Sequence, residues 1–532
     1  MKFRRGGCFF IILMLIFVAM IFRIFYLSTG ENARLAESAV GNRRKELVLY
    51  NTKGIIYDAS VRPIAGNQPC SYLVVNPREF PKDQIDELAA LCEMDQEALA
   101  KKLKKETPFV LQCKNEPKEL AGVERYDGFS RYSGVAAHLL GYLDSADQVG
   151  LSGAEKEFDS YLNLFSSAVT IEYAADALNG IIPDEKIEKE EATLSENGLV
   201  LTLDRDLCEA LETSMDRYIE KGAAVILDCK SGEIKAICSR PSYNTKRIGE
   251  YLESKEGELI NRALSSQTVG SVFKIVVAAA ALEQGLEDFR HSCTGGIMIS
   301  DQTIACHNRT GHGELGLKEA FSDSCNAYFI ALGQMLGSDI ICEMAKRFGF
   351  GESISILGSI ASSSGNLPKA AGGLALANLS IGQGELMASP LQIARMTSVI
   401  ANGGLMPQPT AYKGLYLNKK IKEGEEGVAE RIISEEYADL LLEYCIETVE
   451  TGTATAAKPG IGKAGGKTSS AETGIISDGK EQLNVYFTGF YPADDPQYVI
   501  TVFAEDGISG GKTCGPVFRE VCDFIGENFL TP

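Results

Sequence analysis

The chain has 532 residues, of which 45% are hydrophobic and 23% are charged, and its formal net charge is −20 at pH 7. This composition is ordinary for a globular protein with two or more domains and excludes a disordered or collagen-like chain. The acidic balance argues against nucleic acid as a partner, because nucleic-acid surfaces attract proteins with an excess of positive charge.

The first predicted element is an apolar helix at the N-terminus. Lys2, Arg4 and Arg5 precede the run Cys8–Leu27, which contains one late arginine. About 20 mostly apolar residues span a membrane, and basic residues before the span favour a cytoplasmic N-terminus. We expect residues 1–27 to form a cytoplasmic tip and a single-pass anchor. A cleaved signal peptide is the alternative, but no clear cleavage site follows the run.

Short strands and helices follow the anchor. The elements predicted in chain order are strands at Gly54–Asp58 and Ser71–Val75, a helix at Asp83–Lys105, and a charged linker at Pro183–Asn197. The linker suggests a domain boundary, so we expect an N-terminal domain over residues 28–195 and a second domain over residues 196–532.

The second domain is predicted to have strands at both ends of a helical region. Its predicted strands are Leu199–Leu203, Ala223–Asp228, Ile234–Cys238, Val485–Tyr491 and Tyr498–Ala504, and its flanking helices are Leu207–Tyr218 and Glu520–Phe529. We expect Asp204 to cap the first of these helices. This order indicates a sheet covered by helices, which is an α+β or mixed α/β fold.

A first polar motif lies at the beginning of an apolar helix. Ser271 and Lys274 stand three residues apart, just before the run Ile275–Leu282. Residues at i and i+3 share one face of a helix, so the Lys274 amine can reach the Ser271 hydroxyl. A serine nucleophile needs an adjacent base, and burial lowers the pKa of a lysine towards that role. The structural alternative is the start of a surface helix.

Two further polar motifs follow the first one along the chain. Ser324 and Asn326 supply a hydroxyl that relays protons and an amide that holds a carbonyl or the amine. Lys467, with the hydroxyls of Thr468 and Ser470, can grip a carboxylate by charge-assisted hydrogen bonds. Alone, the second motif reads as a helix cap and the third as a solvated loop. Their order and spacing together indicate acyl transfer by a serine.

The three motifs resemble those of class B penicillin-binding proteins, which are membrane-anchored D,D-transpeptidases. Further segments that resemble family landmarks are Asn261–Leu264, Gly311–Gly313, Ser380–Gly384, Ser389–Gln392, Phe487–Phe490, Arg131 with Tyr132, His138–Gly141 and Gly150–Gly153. The resemblance implies a transpeptidase domain with a central antiparallel sheet flanked by helices. An elongated, dimerisation-like pedestal and one transmembrane helix would precede it, and the catalytic domain would be extracytoplasmic.

The resemblance also implies catalytic roles for the first two motifs. The penultimate D-Ala of a peptidoglycan stem peptide would acylate Ser271, while Lys274 takes the proton. Ser324 would help to protonate the leaving D-Ala, and Asn326 would orient the peptide. An amine from a neighbouring stem would accept the acyl group, and β-lactams would acylate Ser271 as substrate mimics. A polytopic membrane glycan polymerase is the expected partner.

The third motif is implied to bind substrate, but it departs from the family pattern. Lys467, Thr468 and Ser470 would hold the terminal carboxylate, and the N–H groups of Ser271 and Ser470 would form the oxyanion hole. The family usually has Gly at the position of Ser469, where a side chain puts substrate fit in doubt. The family also usually has Pro two residues before the nucleophile, where this chain has Val269, a departure that should be mild.

Two rival functions stay open on the sequence alone. A β-lactamase or β-lactam sensor uses the same fold, although the long pedestal on one anchor suits cell-wall synthesis better. A non-enzymatic scaffold for a membrane glycan polymerase would be consistent with chemistry weakened by Ser469. Rapid hydrolysis of a bound β-lactam would indicate the first rival, and failure to label with penicillin would indicate the second.

Cysteines and histidines cluster in sequence beside the second motif. The chain has 14 cysteines, and five candidate metal ligands lie close together: Cys293, Cys306, His307, His312 and Cys325. Such ligands suit Zn²⁺, and some members of the resembled family carry a metal in this neighbourhood. The alternatives are a Cys293–Cys306 disulfide or buried thiols. Because no tight C-x-x-C pair exists, we expect no metal and no cofactor.

Overall fold

The computed structural model describes residues 2–29, 43–113, 120–132, 134–144, 148–176, 181–182, 188–189, 195–369, 372–424, 427–477 and 479–530. The chain divides into two compact units that interleave in sequence. The first comprises Met1–Thr52, Pro69–Ser130 and Ser166–Leu194, and the second comprises Lys53–Gln68, Arg131–Phe165 and Ser195–Pro532. The sequence-based division at residues 27 and 195 stays a prediction. Much of the predicted linker lies outside the described residues.

The N-terminal helix confirms the predicted apolar segment. It extends over Lys2–Thr29. Within it, Gly7–Thr29 is 23 residues long with a mean hydropathy of 2.9. The side chains described in this stretch are exposed to solvent rather than packed in a core. The helix is therefore long and apolar enough to anchor the protein in a membrane.

The first unit combines short strands with a pair of helices. Its elements outside the N-terminal helix are strands Arg44–Thr52, Phe109–Cys113, Val123–Tyr132 (to Ser130), Ser167–Ala174 and Glu188–Lys189, the second half of strand Pro63–Val75, and helices Ile85–Leu91 and Gln96–Leu103. Arg44–Thr52 pairs antiparallel with Ser167–Ala174. Ser71–Val75 pairs with Phe109–Cys113, which confirms that predicted strand.

The single helix predicted over Asp83–Lys105 is wrong, because the chain breaks there into two helices. Glu93 adopts a left-handed conformation with φ of 48°, which does not continue a helix. Asp95 then caps the second helix by accepting a hydrogen bond from the Ala98 N–H at 2.9 Å. The apolar periodicity continued through this break and concealed it, whereas Asp at the cap position was the available signal.

A five-stranded antiparallel sheet forms the centre of the second unit. Its strands, in spatial order, are Ile234–Arg240, Gly222–Asp228, Tyr498–Ala504, Lys480–Tyr491 and Gly465–Ser477. The first four contain the strands predicted from sequence, which confirms the antiparallel sheet. The edge strand Gly465–Ser477 carries the third motif, which the residues alone did not identify as a strand. The fold is mixed α/β, as expected.

The remaining elements of the second unit surround this sheet. Further strands are Ile55–Tyr57, Gly198–Leu201, Tyr412–Leu417 and Lys420–Glu423, and the two-stranded ribbons pair Gln267–Thr268 with Met387–Ala388, His291–Cys293 with Gly313–Leu315, Gly296–Ile299 with Gln302–Ala305, Ser355–Leu357 with Ile360–Ala361, and Leu405–Met406 with Glu430–Arg431. The α-helices are Ala137–Leu140, Gly153–Glu157, Asp159–Leu162, Arg205–Tyr218, Lys274–Glu283, Leu317–Ser322, Asn326–Leu336, Ser338–Arg347, Gly373–Ser380, Pro390–Ala401, Glu435–Glu450 and Gly515–Asn528.

Helices cover both faces of the central sheet. Phe487 packs against Phe518 of the last helix, with ring centroids 4.4 Å apart. The next residue, Thr488, hydrogen-bonds Thr397 of helix Pro390–Ala401 at 2.7 Å. Neighbouring strand residues point to opposite faces, so these two helices lie on opposite sides of the sheet. The expected layer of sheet between helices is confirmed.

The helix Arg205–Tyr218 begins as predicted. The Asp204 carboxylate accepts hydrogen bonds from the N–H groups of Asp206 and Leu207 at 2.9 and 3.1 Å. This arrangement is the expected N-terminal cap, because it satisfies donors that have no partner within the helix.

Candidate active site

The amine of Lys274 lies at the centre of the candidate site. The Ser271 turn is a short 3₁₀ helix, and Lys274 begins the apolar α-helix that follows. The Lys274 side chain is fully buried. Its Nζ forms hydrogen bonds with the Ser324 carbonyl at 2.8 Å, with Ser324 Oγ at 3.2 Å and with Asn326 Oδ1 at 2.7 Å. The first and second motifs, about 50 residues apart in sequence, therefore meet at this amine.

Ser271 is half-buried at the same turn. Its hydroxyl has no hydrogen-bond partner within the part of the chain that the structure describes. The Lys274 amine, three residues on, bonds the second motif instead. Hydrogen bonds between catalytic groups are often loose without substrate, so this geometry is compatible with a free nucleophile beside a held amine.

Lys274 and Lys467 both lie in surroundings that favour the uncharged form of the amine. Burial, followed by repulsion from Lys467, lowers the pKa of Lys274 well below its usual value. Burial also lowers the pKa of Lys467 to about 7. A neutral Lys274 is the form that accepts a proton.

Two aromatic rings support the two amines. The Lys274 Nζ lies 5.4 Å from the centroid of Phe329, and the Lys467 Nζ lies 5.6 Å from that of Phe321. The two rings are neighbours, with centroids 6.5 Å apart. Such contacts stabilise an ammonium group in a desolvated site. Sequence reasoning missed both phenylalanines, because a buried ring beside a motif looks like any other core residue.

The side chains of the third motif differ in their exposure to solvent along the strand. Lys467 and Ser469 are buried, and Lys467 Nζ contacts the Thr468 carbonyl at 3.5 Å. Thr468 Oγ1 lies 3.0 Å from Thr453 Oγ1, a residue that sequence reasoning also missed. Ser470 is exposed. The motif is therefore an edge strand, and its interpretation as a solvated loop is wrong.

The Ser469 hydroxyl links the third motif to the Ser271 turn. Ser469 Oγ donates to the Val269 carbonyl at 2.8 Å. Lys467 lies two residues before Ser469, and Ser271 lies two residues after Val269. This hydrogen bond joins the third motif to the Ser271 turn, and the Lys274 amine joins the first motif to the second. All three motifs therefore converge in one region of the second unit.

Four of the five candidate metal ligands form a compact cluster beside the second motif. One ligand atom from each of Cys293, Cys306, His312 and Cys325 lies within 4.8 Å of all the others. His307 is outside this set, although its Nδ1 is 3.9 Å from Cys306 Sγ. Three thiols and one imidazole match the donor set of a closed, tetrahedral zinc site.

The thiols of this cluster form no disulfide and lie close to one another. Cys293 and Cys306 carry no disulfide, and the Sγ atoms of Cys306 and Cys325 are 3.9 Å apart. Hydrogen bonding from Cys325, and then from His307 and backbone N–H groups, lowers the pKa of Cys306. A thiolate among buried thiols is the form that binds a metal ion.

Comparison with known proteins identifies the family. The model of the penicillin binding protein transpeptidase domain matches residues 222–523, more than half of the chain. The model of the penicillin-binding protein dimerisation domain matches residues 49–198. The chain therefore belongs to the penicillin-binding protein transpeptidases. With a dimerisation domain before the transpeptidase domain, it is a class B penicillin-binding protein, and the resemblance read from its motifs is confirmed.

Named relatives agree with this assignment. Stage V sporulation protein D of Bacillus subtilis is 27% identical over 95% of this chain and 83% of its own length. Penicillin-binding protein PbpB of Mycolicibacterium smegmatis is 30% identical over 86% of this chain and 76% of its own. The solved structure of PBP2 from Helicobacter pylori shares the fold, with a TM-score of 0.67 at 20% identity, covering 92% of this chain and all of that one.

Proposed function

We propose that this transpeptidase cross-links peptidoglycan stem peptides through an acyl-enzyme on Ser271. The observation that carries the proposal is the buried Lys274 amine, held by Ser324 and Asn326 and depressed in pKa. A lowered pKa favours the neutral amine, which is the form that can take the serine proton. The relatives named peptidoglycan D,D-transpeptidase support the substrate class.

Acylation would proceed as follows. Ser271 Oγ attacks the carbonyl carbon of the penultimate D-Ala, and Lys274 accepts the hydroxyl proton. The C–N bond to the terminal D-Ala then breaks, and Ser324 relays the proton from Lys274 to the leaving amine. Asn326 orients the peptide. Backbone N–H groups of Ser271 and Ser470 stabilise the oxyanion.

The acyl group would then pass to an amine from a neighbouring stem peptide. The amine attacks the ester carbon, the ester C–O bond breaks, and Ser271 recovers a proton through Lys274. Lys467, with Thr468 and Ser470, would hold the carboxylate of the terminal D-Ala before it leaves. Because burial depresses the pKa of Lys467, an arriving carboxylate would restore its charge and gain a strong ion pair.

The N-terminal helix supports a location for this reaction. We infer that the catalytic unit is extracytoplasmic and that the helix is an uncleaved single-pass anchor, because basic residues precede the apolar run in sequence. A polytopic membrane glycan polymerase is the partner that a membrane-held cross-linking enzyme requires, since cross-linking consumes newly made strands.

Mass spectrometry of the intact protein after treatment with benzylpenicillin tests the proposal. We expect one adduct of the mass of the antibiotic, mapped by peptide digestion to Ser271 and absent from Ser271→Ala. An adduct on another residue would overturn the assignment of the nucleophile. Fast loss of the adduct with release of hydrolysed drug would indicate a β-lactamase, and no adduct on folded protein would indicate the scaffold.

We also propose that the thiol cluster binds zinc, although the sequence alone led us to expect no metal there. The donor set of three sulfurs and one imidazole nitrogen within 4.8 Å carries this proposal. Zinc would stabilise the fold around the second motif, since Cys325 lies between Ser324 and Asn326. The metal takes no part in the acylation steps above.

Elemental analysis of the purified protein tests the zinc site. We expect about one zinc per chain, lost in Cys306→Ala and retained in Cys342→Ala. Cys342 is a matched control, because it is a buried free thiol outside the cluster. Equal zinc content in the two variants, or none in the wild type purified anaerobically, would contradict the proposal.

A further inference from the structure

The residue that departs from the family pattern in the third motif is turned into the protein. Ser469 is only 2% exposed, and its hydroxyl donates to the Val269 carbonyl at 2.8 Å. The next strand residue, Ser470, is exposed. Side chains alternate between the faces of a strand, so the Ser469 hydroxyl does not lie on the face that Ser470 presents.

The peptide group between Val269 and Gly270 is held on both of its polar atoms. Its oxygen accepts from Ser469 Oγ, and its N–H donates to the Gly382 carbonyl at 2.7 Å. This peptide immediately precedes the one that carries the N–H of Ser271. The Ser271 N–H and hydroxyl, which are the proposed oxyanion donor and nucleophile, therefore come directly after a peptide group that Ser469 and Gly382 hold in place.

The packing at this point requires glycine at position 270 when serine occupies position 469. Gly270 has φ of +66°, which favours glycine. A Cβ placed on Gly270 would lie 2.2 Å from Ser469 Oγ and 3.0 Å from Ala471 Cβ. The hydroxyl thus fills the space that the missing side chain of Gly270 leaves. Val269 and Gly270 are buried, so loss of the donor would leave a buried carbonyl without this partner.

We propose that Ser469 is a positioning residue that holds the Ser271 turn in the geometry for acylation. The inference rests on the proposed acyl-enzyme at Ser271. Instead of obstructing the substrate, the added side chain strengthens the contact between the third-motif strand and the nucleophile turn. Its hydroxyl acts through the Val269 carbonyl and touches no reacting atom.

The expected effect is on the chemical step rather than on binding. Removing one buried hydrogen bond reduces the population of the reactive geometry by about three- to tenfold. The rate constant of acylation should fall by that factor in Ser469→Ala and in Ser469→Gly. The dissociation constant of the non-covalent β-lactam complex should stay within about twofold, because the hydroxyl is turned away from the exposed face.

Stopped-flow acylation with a fluorescent penicillin separates these two constants for each variant. Thr473→Ala is the matched control, because Thr473 lies on the same strand and its hydroxyl donates to the Gln482 carbonyl at 2.9 Å, away from the nucleophile turn. We expect wild-type acylation constants in this control. The rate constant is taken from the molecules that react, so partial unfolding lowers the amplitude and leaves the rate unchanged.

The outcomes separate this inference from the proposed function. Acylation of the wild type at Ser271 with an unchanged rate constant in Ser469→Ala would overturn the inference alone. Tighter β-lactam binding by Ser469→Gly with an unchanged rate constant would show that the side chain obstructs the ligand. Absence of any adduct on wild-type Ser271 would instead overturn the proposed function.

Discussion

The second motif has two sides that differ in chemistry. On one side, Ser324 and Asn326 contact the Lys274 amine through oxygen atoms. On the other side, Cys325 directs its sulfur towards Cys306, 3.9 Å away. Three consecutive residues thus join a site for proton transfer to a site with the donors of a zinc centre. Ser324, with φ of +55°, makes the turn that separates them.

A hydrogen bond joins the two sides of the second motif. Asn326 donates its Nδ2 to the Ala305 carbonyl at 3.4 Å, which holds the amide from the side of the thiol cluster. Ala305 immediately precedes Cys306. An ordered thiol cluster therefore helps to fix Asn326, and Asn326 in turn holds the Lys274 amine. Substitutions on one side of the motif should therefore change the properties of the other side.

The largest effect is expected on the amine side. Lys274→Ala removes the proton acceptor, so the acylation rate should fall by about 10²- to 10⁴-fold. The fold should persist, because the variant also removes a costly buried amine. Stopped-flow acylation and thermal unfolding measure the two quantities. Lys318→Ala, which loses only a surface ion pair with Glu443, is the control. Normal acylation of Lys274→Ala would exclude this lysine as the base.

A pH profile should separate the roles of the two amines. The pKa of Lys467, lowered by burial to about 7, means that its charge is lost as pH rises above that value. Capture of an anionic β-lactam should therefore fall by about tenfold per pH unit well above pH 7. Burial lowers the pKa of Lys274 as well, so raising the pH favours the neutral form of this amine.

Arginine at the same position should remove the fall at high pH. Arginine keeps its charge at every accessible pH, so Lys467→Arg should acylate with a flat profile above pH 7, although more slowly. Lys512 begins a similar Lys-Thr pair but is exposed, so Lys512→Arg should keep the wild-type profile. A falling limb that persists in Lys467→Arg would assign it to another group.

A smaller effect is expected when the thiol side is disturbed. Cys293→Ala removes a cluster residue that lies outside all three motifs. Loss of one ligand should release zinc and slow acylation by about tenfold, through looser positioning of Asn326. Cys342→Ala should change neither quantity. Full-rate acylation by zinc-free Cys293→Ala would show that the two sides are independent.

The sequence indicated the amine side as a candidate active site, whereas for the thiol side it indicated the candidate ligands together with an expectation of no metal. Ser271 with Lys274, Ser324 with Asn326, and Lys467 occur in short motifs whose order is informative without coordinates. The cluster ligands lie on different elements, from Cys293 in one ribbon strand to Cys325 before a helix. Their convergence depends on loop geometry, which a spacing rule that demands a close cysteine pair does not capture.

In the fold, too, the elements that depend on local sequence were predictable and those that depend on distant contacts were not. Strands that are short runs of mostly apolar residues, such as Ala223–Asp228 and Tyr498–Ala504, were predictable because an apolar run bounded by turn signals is typical of a buried strand. The edge strand Gly465–Ser477 was not, since its glycines and hydroxyls are typical of loops. The direction of the Ser469 side chain also depends on pairing with a distant strand, which local sequence does not encode.

The smallest predicted effect distinguishes two adjacent histidines on the thiol side. The rings of His307 and His312 have centroids 5.0 Å apart, yet only His312 belongs to the set of mutually close ligand atoms. His312→Ala should lose zinc, whereas His307→Ala should retain it and change the acylation rate by less than about twofold. Elemental analysis and stopped-flow acylation measure both variants. Because the two substitutions remove the same ring a few residues apart, a general loss of packing would affect them equally. Zinc loss from His307→Ala with retention in His312→Ala would mean that the fourth ligand is the other imidazole, and the cluster would have to be redrawn around Cys306 and His307.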